Sequence, residues 1–223
     1  MKVRAIGREV RDRKLTYLSP KKLRSLLNAV DAVTLGEVPG DVLEFGVALG
    51  GSGICLASRL EPGRRYLGFD VFGMIPPPTE ADGDAVGRRY RTIAEGRSEG
   101  IGGGQYYGYV EDLHAKVSDS FAALGLPVDG ERILLVKGLF EQTVVQHGDA
   151  TVALAHIDCD WYESVRCCLD FVWPRLSPGG QVVLDDYDHW DGARKATDEF
   201  LGAHDDARIL RRRPQVILVK PFA

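Results

Sequence analysis

Short apolar runs alternate with segments of helical periodicity along most of this sequence. Six apolar runs bounded by turn-forming residues predict buried β-strands: Val42 to Val47, Arg65 to Asp70, Ile133 to Lys137, Leu154 to Asp158, Gln181 to Leu184 and Gln215 to Lys220. The intervening segments predict helices at Lys21 to Val33, Ser52 to Arg59, Lys116 to Leu124, Glu163 to Leu176 and Ala193 to His204. This alternation favours the α/β class, with an open, mostly parallel sheet and helices on both faces. Such sheets bind ligands beyond the carboxyl ends of their strands, so we expect the chemistry there.

Two parts of the chain do not follow the alternation. Residues 1–38 begin with a polar stretch, after which Ser19-Pro20 predicts the capped start of an entry helix. Residues 72–112 contain Pro76-Pro77-Pro78 and are too long for an ordinary connection. We expect residues 72–112 to form a lid-like insertion over a substrate, partly helical over residues 85–95. A loop without function is the alternative.

Length, charge and cysteine content exclude several classes of protein. The 223 residues suit a single α/β domain over residues 1–223. The net charge of −4 gives no general attraction to nucleic acid or to an anionic membrane, and Arg211-Arg212-Arg213 is interpreted as a solvated turn. No stretch approaches the ~20 apolar residues of a membrane span, so we expect a cytoplasmic protein. The four cysteines form no CxxC pair and are interpreted as buried small residues in a reducing compartment.

A glycine-rich motif, Glu44-Phe45-Gly46-Val47-Ala48-Leu49-Gly50-Gly51-Ser52, lies where a strand turns into a helix. Glycines let backbone approach a ligand closely, and helix N-terminal N–H groups bind anions, so the turn predicts a nucleotide-like cofactor. A dinucleotide fingerprint would need glycine at Ala48, whereas the pattern acidic-x-Gly-x-small-x-Gly of class I methyltransferases matches. Asp70 ends the next predicted strand, where an acid can accept hydrogen bonds from both ribose hydroxyls. Dehydrogenases share that acid, and a tight turn without ligand remains the alternative.

Three aspartates follow the fourth and fifth predicted strands. Asp158 closes the fourth run, and Asp185 and Asp186 close the fifth. If these strands are neighbours, the three carboxylates converge on one rim and repel one another unless a cation neutralises them. Oxygen ligands suit Mg²⁺, Mn²⁺ or Ca²⁺, and metal binding lowers the pKa of a substrate hydroxyl. The alternative is that these aspartates are turn formers and helix caps.

Several sequence blocks resemble the macrocin O-methyltransferase family, class I enzymes that methylate sugar hydroxyls on glycosylated natural products. The blocks are Pro39 to Val47, Phe69 to Met74, Val136 to Phe140, His156 to Ser164, Leu176 to Gly180, Asp185 to Tyr187 and Trp190 to Ala196. The resemblance implies a Rossmann-like, seven-stranded class I methyltransferase fold, frequent homodimers, and an N-terminal lid over the cofactor that includes Tyr17. It also implies that Asp158, Asp185 and Asp186 are metal ligands and that Asp160 is the general base.

We therefore predict an S-adenosylmethionine- and metal-dependent O-methyltransferase of a small, glycosylated acceptor. Its catalytic base is Asp160, with His189 as second candidate, and its cofactor contacts are Tyr17, Glu44, Gly46, Ala48, Gly50, Ser52, Asp70, Gly138 and Asp158. Residues 1–38 form the N-terminal lid and entry helix. Three rival functions remain: methylation of a non-sugar catechol or vicinal diol, nicotinamide-dependent oxidoreduction, and cofactor binding without catalysis.

Overall fold

One mixed sheet forms the centre of the protein. The computed structural model describes residues 3–222, with side chains described from residue 6 onward. The strands of the described chain are β1 Asp41–Phe45, β2 Tyr66–Asp70, β3 Ile133–Lys137, β4 Val152–Ile157, β5 Leu176–Leu184, β6 Arg208–Arg211 and β7 Val216–Val219. Their order is β3-β2-β1-β4-β5-β7-β6. The first five strands are parallel, whereas β7 runs antiparallel to both β5 and β6. The predicted open, mostly parallel seven-stranded sheet is confirmed.

Helices cover both faces of the sheet. They are α1 Val3–Asp12, α2 Pro20–Leu35, α3 Gly51–Ala57, α4 Gly83–Ala94, α5 Leu113–Ala123, α6 Phe140–Thr143, α7 Tyr162–Arg175 and α8 Asp191–Ala203. Successive strand residues point to opposite faces: Val42 of β1 joins a core with α1, α2, α3 and α5, whereas Leu43 and Phe45 join a core with α7 and α8. Burial on both faces explains why the strands read as continuous apolar runs.

The start of α2 follows from local chemistry. The Ser19 hydroxyl accepts a hydrogen bond from the N–H of Lys22 at 3.3 Å. Pro20 occupies the first helical position, where a backbone N–H would make no hydrogen bond within the helix, so the lack of an N–H in proline costs nothing there. Leu23, Leu26 and Val30 are buried along one face. The helix packs against β4 and β5, and its first turn therefore lies near the carboxyl ends of these strands.

Three of the described helices and strands were not predicted from the sequence. Helix α1 lies in the polar N-terminal stretch, α6 is a single turn after β3, and β6 is an edge strand whose residues are mostly exposed. Arg211 ends β6 rather than beginning a turn, so the predicted basic turn starts one residue later. Residues 72–112 contain α4, which matches the helix expected near residues 85–95, and several short 3₁₀ turns. Within residues 3–222, no helix has the length and apolar character needed to cross a membrane.

Candidate active site

Two adjoining cavities lie beyond the carboxyl ends of β1, β2, β4 and β5. The first has a volume of about 520 Å³ and is lined by Asp70, Val71, Pro76, Leu139, Phe140, Cys159 and Cys167, among others. The second has a volume of about 410 Å³ and is lined by Tyr17, Ser19, Lys22, Ala48, Arg89, Tyr106, Asp185, Asp186, His189 and Trp190, among others. The residues that line both are Gly46, Asp70, Ile75, Tyr107, Asp158, Asp160 and Trp161. The two cavities therefore share a wall, and that wall carries three of the predicted acids, Asp70, Asp158 and Asp160.

The glycine turn after β1 packs directly on the end of β4. Gly46 has φ 93°, and a Cβ at this position would overlap the carbonyl oxygen of Asp158. Ala48 has φ 48°, and Gly50, with φ 88°, precedes the first turn of α3. A side chain is strained at positive φ, which explains the glycines. Gly46 lines both cavities and Ala48 lines the second, whereas Gly50 packs against α5.

Asp70 holds the turn in place. Its Oδ2 accepts hydrogen bonds from the N–H groups of Val47 at 2.8 Å and Ala48 at 2.9 Å, and its Oδ1 accepts one from the N–H of Phe72 at 2.6 Å. Burial raises the pKa of Asp70, and the three backbone N–H groups partly oppose that rise. The carboxylate borders both cavities, so no part of the described chain blocks the predicted contact between Asp70 and ribose hydroxyls.

Glu44 does not border either cavity. It is fully buried under the turn, where Oε1 contacts Nδ1 of His156 at 3.0 Å and Oε2 accepts a hydrogen bond from the Tyr66 hydroxyl. Both oxygens therefore have partners inside the protein, and Glu44 supports the turn from beneath; its predicted direct contact with the cofactor stays a prediction. Ser52 and Gly138 also lie outside the cavity walls, although Leu139, which follows Gly138, contributes to one.

Two of the three predicted metal ligands, Asp158 and Asp185, lie close together at the rim between β4 and β5. One ligand atom each from His156, Asp158 and Asp185 lies within 4.8 Å of the others, so the sequence-based convergence of Asp158 and Asp185 is reproduced and His156 is added. Asp186 is turned toward Asp160, whose N–H donates to Asp186 Oδ2 at 3.1 Å. Burial, and then the neighbouring carboxylates, raise the pKa values of Asp158 and Asp186.

This rim fits a divalent cation by the chemistry of its donors. It offers carboxylate oxygens, which hard cations prefer. Nε2 of the fully buried His156 and Oε1 of the almost fully buried Gln215 have no hydrogen-bond partner among the described residues. Gln215 Nε2 donates to Asp185 Oδ1 at 2.7 Å, and Lys22 Nζ contacts Asp185 Oδ2 at 2.6 Å. Asp185 therefore already has a positively charged partner, whereas neither Asp158 nor Asp186 has one in the described chain.

Asp160 lies just past β4 in a strained backbone conformation. Its φ is 62°, a region that non-glycine residues rarely occupy. Oδ1 accepts a hydrogen bond from Trp190 Nε1 at 2.8 Å, whereas Oδ2 has no partner in the described part of the chain. Burial raises the pKa of Asp160 to about 6, while the Trp190 hydrogen bond opposes the rise. A carboxylate with a pKa near neutrality and one free oxygen suits a general base.

Aromatic side chains form the walls of the second cavity. Trp161 and Trp190 make an edge contact with ring centroids 5.7 Å apart, and Tyr17 makes one with Tyr107 at 5.9 Å. Tyr107 belongs to residues 72–112, so the predicted insertion does supply the cavity wall. Tyr17, on the N-terminal side, is half exposed and lines the same cavity. His189 lines it as well.

Sequence reasoning missed three polar residues of the site. Lys22, Trp190 and Gln215 contact the predicted acids. In the sequence, Lys22 reads as part of a helix and Gln215 as part of a strand, whereas Trp190 lies between a predicted strand and a predicted helix. Lys22 is 163 residues from Asp185 along the chain, so no local spacing could have linked them. Trp190 could have been found from its place beside the Asp185-Asp186 pair, within a block already singled out by resemblance.

Comparison with known proteins gives a consistent result. The model of one family, described as Macrocin-O-methyltransferase (TylF), matches residues 1–211. An 8-demethyl-8-(2,3-dimethoxy-alpha-L-rhamnosyl)-tetracenomycin-C 4'-O-methyltransferase of Streptomyces olivaceus is 32% identical over 206 residues, covering 90% of this chain and 73% of that protein. A mycinamicin III 3''-O-methyltransferase of Micromonospora griseorubida is 30% identical over 198 residues, covering 85% of this chain and 71% of that protein.

Solved structures share the architecture. The O-methyltransferase NovP superposes with a TM-score of 0.74 at 26% identity, covering 94% of this chain and 83% of that one. The calicheamicin methyltransferase CalS11 superposes with a TM-score of 0.65 at 25% identity, covering 88% of this chain and 79% of that one. The sheet order, the glycine turn and the acid rim thus occur together in a fold that methyltransferases use.

Proposed function

Because the chain belongs to the macrocin O-methyltransferase family and is therefore an S-adenosylmethionine-dependent O-methyltransferase, we propose that it methylates a sugar hydroxyl of a glycosylated small molecule with the help of a divalent metal. One observation carries this proposal: the two cavities share a wall that contains Asp158 and Asp160. A methyl donor in one cavity and an acceptor in the other would meet at these carboxylates.

The first cavity suits the methyl donor. It lies against Gly46 and Asp70, where backbone can approach a ligand closely and an acid can accept hydrogen bonds from ribose hydroxyls. Leu139 and Phe140 give it an apolar wall for an adenine ring. Asp158 and Asp160 at the shared wall would face the positively charged sulfonium, which favours binding of that charge.

The second cavity suits a sugar with an apolar neighbouring group. The cavity is lined by aromatic side chains and by several aspartates. The aromatic faces can pack against the C–H groups of a sugar ring, and the carboxylates can accept hydrogen bonds from its hydroxyls. The relatives named above act on a rhamnosyl-tetracenomycin and on mycinamicin III. A sugar-bearing acceptor therefore fits better than a bare catechol, which would leave much of the cavity unfilled.

The reaction follows from the placement of Asp160. The acceptor oxygen forms a bond to the methyl carbon as the sulfur–carbon bond breaks, and the hydroxyl proton passes to Oδ2 of Asp160, the oxygen without a partner. Asp158, Asp185 and Asp186 would hold the metal, which when bound supplies positive charge to a substrate oxygen. Tyr107 and Trp161 exclude water from the shared wall, and Tyr17 covers one side of it.

Metal removal tests this proposal. The purified protein would be incubated with methyl-labelled S-adenosylmethionine and a panel of deoxysugar glycosides, free sugars and catechols, with product detected by mass spectrometry. We expect transfer to a glycoside, loss of transfer in EDTA, and recovery with Mg²⁺ or Mn²⁺. Full activity in EDTA would refute the metal requirement, and transfer to catechols alone would favour the rival acceptor. Sedimentation of the same preparation would test the homodimer predicted from the resemblance.

A further inference from the structure

The side chain of Lys22 approaches the predicted metal ligands more closely than any other cation in the described chain. Its Nζ lies 2.6 Å from Asp185 Oδ2 and also donates to the Asp185 carbonyl oxygen at 3.1 Å. Both partners are shielded, with side chains 15% and 7% exposed. In a shielded site, water screens the attraction between two charges at this separation less than it does at the surface.

From this contact we propose that Lys22 is a built-in cation that neutralises Asp185 in the metal-free enzyme and that a divalent ion must displace. The inference rests on the metal site of the proposed function. Asp158, Asp160, Asp185 and Asp186 crowd four carboxyl groups at one rim, and these groups cannot all ionise there without a counter-charge. An ammonium group and a metal ion on the same oxygen, Asp185 Oδ2, would lie close enough to repel each other, so metal binding favours withdrawal of the lysine.

The local structure allows Lys22 to leave without disturbing its partner. Lys22 lies in the first turn of α2, three residues after the Ser19 cap, and its head is carried on a flexible four-carbon stem. Gln215 Nε2 continues to hold Asp185 Oδ1. Withdrawal of the ammonium into the second cavity, which Lys22 already lines, would therefore free Oδ2 while the carboxylate keeps its orientation.

The consequence is a metal affinity set partly by a residue that is not a ligand. With Lys22 in place, the metal-free rim is stable, but each metal ion that binds must separate the Lys22–Asp185 pair. Removing the ammonium should therefore tighten metal binding and make the metal-free protein less stable. A lysine with a purely structural role would show the loss of stability without the gain in metal affinity.

The test is a calorimetric Mg²⁺ titration of chelator-treated wild type, Lys22→Met and Lys21→Met. Lys21 is the neighbouring exposed lysine on the same helix turn, so its variant controls for net charge and helix propensity. We expect Lys22→Met to bind Mg²⁺ at least about tenfold more tightly than wild type, and Lys21→Met to match wild type. Equal or weaker binding by Lys22→Met would overturn the proposal.

Two further measurements keep the result interpretable. If Lys22→Met does not fold without metal, it would be purified with Mg²⁺, and the chelator concentration that removes the ion would be compared with that for wild type. S-adenosylmethionine affinity, measured in all three proteins, reports on the cofactor cavity separately. If wild type binds Mg²⁺ and Lys22→Met binds it no more tightly, only the role of Lys22 fails. If neither protein binds Mg²⁺, both this inference and the proposed metal site fail, while methyl transfer itself is tested independently by product formation.

Discussion

Individual residues at the acid rim have different partners, which divides the chemistry among them. Both oxygens of Asp185 have partners, Lys22 and Gln215. Asp186 accepts from the Asp160 N–H and Asp160 accepts from Trp190 Nε1, and each of these two carboxylates keeps one oxygen without a partner in the described chain. The Trp190 hydrogen bond holds Oδ1 of Asp160, a residue that lines both cavities. The division between metal ligands and base, which the resemblance implies, stays a prediction that variants can test.

We predict that Asp160→Asn removes catalysis while preserving the site. The asparagine Oδ1 can still accept from Trp190 Nε1, but its amide group cannot take up the acceptor proton. The turnover number should fall by about 10²–10⁴, the contribution of a general base, and Mg²⁺ affinity should change little. Asp158→Asn is the matched variant two residues away and should instead weaken Mg²⁺ binding. Catalysis is measured as turnover at saturating cofactor, and Mg²⁺ binding is measured by calorimetric titration. If Asp160→Asn keeps near wild-type turnover, the base is His189, or the metal alone suffices to deprotonate the acceptor.

At the scale of secondary-structure elements, the cofactor turn depends on contact between β1 and the end of β4. Gly46 continues the parallel ladder, since its N–H donates to the Phe69 carbonyl at 2.9 Å while the Asp158 N–H donates to the Phe45 carbonyl at 2.9 Å. A side chain at Gly46 would enter the space that the Asp158 carbonyl occupies. The position of the glycine turn therefore also fixes the position of an acid of the shared wall.

We predict that Gly46→Ala destabilises the fold by about 3 kcal/mol or more, because backbone strain at φ 93° adds to a steric overlap. Gly63→Ala is the control: Gly63 has φ 84°, but no atom lies within 4 Å of a Cβ built there. Its cost should be the strain alone, about 1–2 kcal/mol. Urea denaturation gives both values. Equal losses in the two variants would show that the turn can relax away from β4.

The same elements show what the sequence can and cannot predict. Strands β1, β2, β4 and β5 are buried on both faces, so their apolar runs and terminal acids were visible in the sequence. Strand β6 could not be recognised in the sequence, because an exposed edge strand with arginines at both ends has no apolar pattern. The inward turn of Glu44 toward His156 and Tyr66 depends on side-chain pairing between three strands, which no spacing within one strand encodes.

For the whole molecule, the two cavities lie at the carboxyl edge of the sheet, where several distant parts of the chain meet. The residues of the shared wall come from the ends of β1 and β4, from the loop after β2 and from residues 72–112. The N-terminal segment lies nearby: Tyr17 lines the second cavity, and the Leu15 carbonyl accepts a hydrogen bond from the Gly51 N–H at 2.9 Å. A ligand that bridges these parts should stabilise the native state as a unit, because it binds little to the unfolded chain.

We therefore predict that S-adenosylmethionine raises the thermal midpoint of the protein and that NAD does not. At a concentration 100-fold above Kd, the stabilisation is about 2.7 kcal/mol, which corresponds to about 5–10 °C for a chain of this size. NAD should give no shift, because Ala48 replaces a glycine of the dinucleotide fingerprint.

Thermal unfolding would be followed with each ligand, with and without Mg²⁺, and S-adenosylhomocysteine would serve as a control that lacks the methyl group and the sulfonium charge. A shift with NAD and none with S-adenosylmethionine would assign the first cavity to a nicotinamide cofactor. A smaller shift with S-adenosylhomocysteine than with S-adenosylmethionine would indicate that Asp158 and Asp160 sense the sulfonium charge across the shared wall.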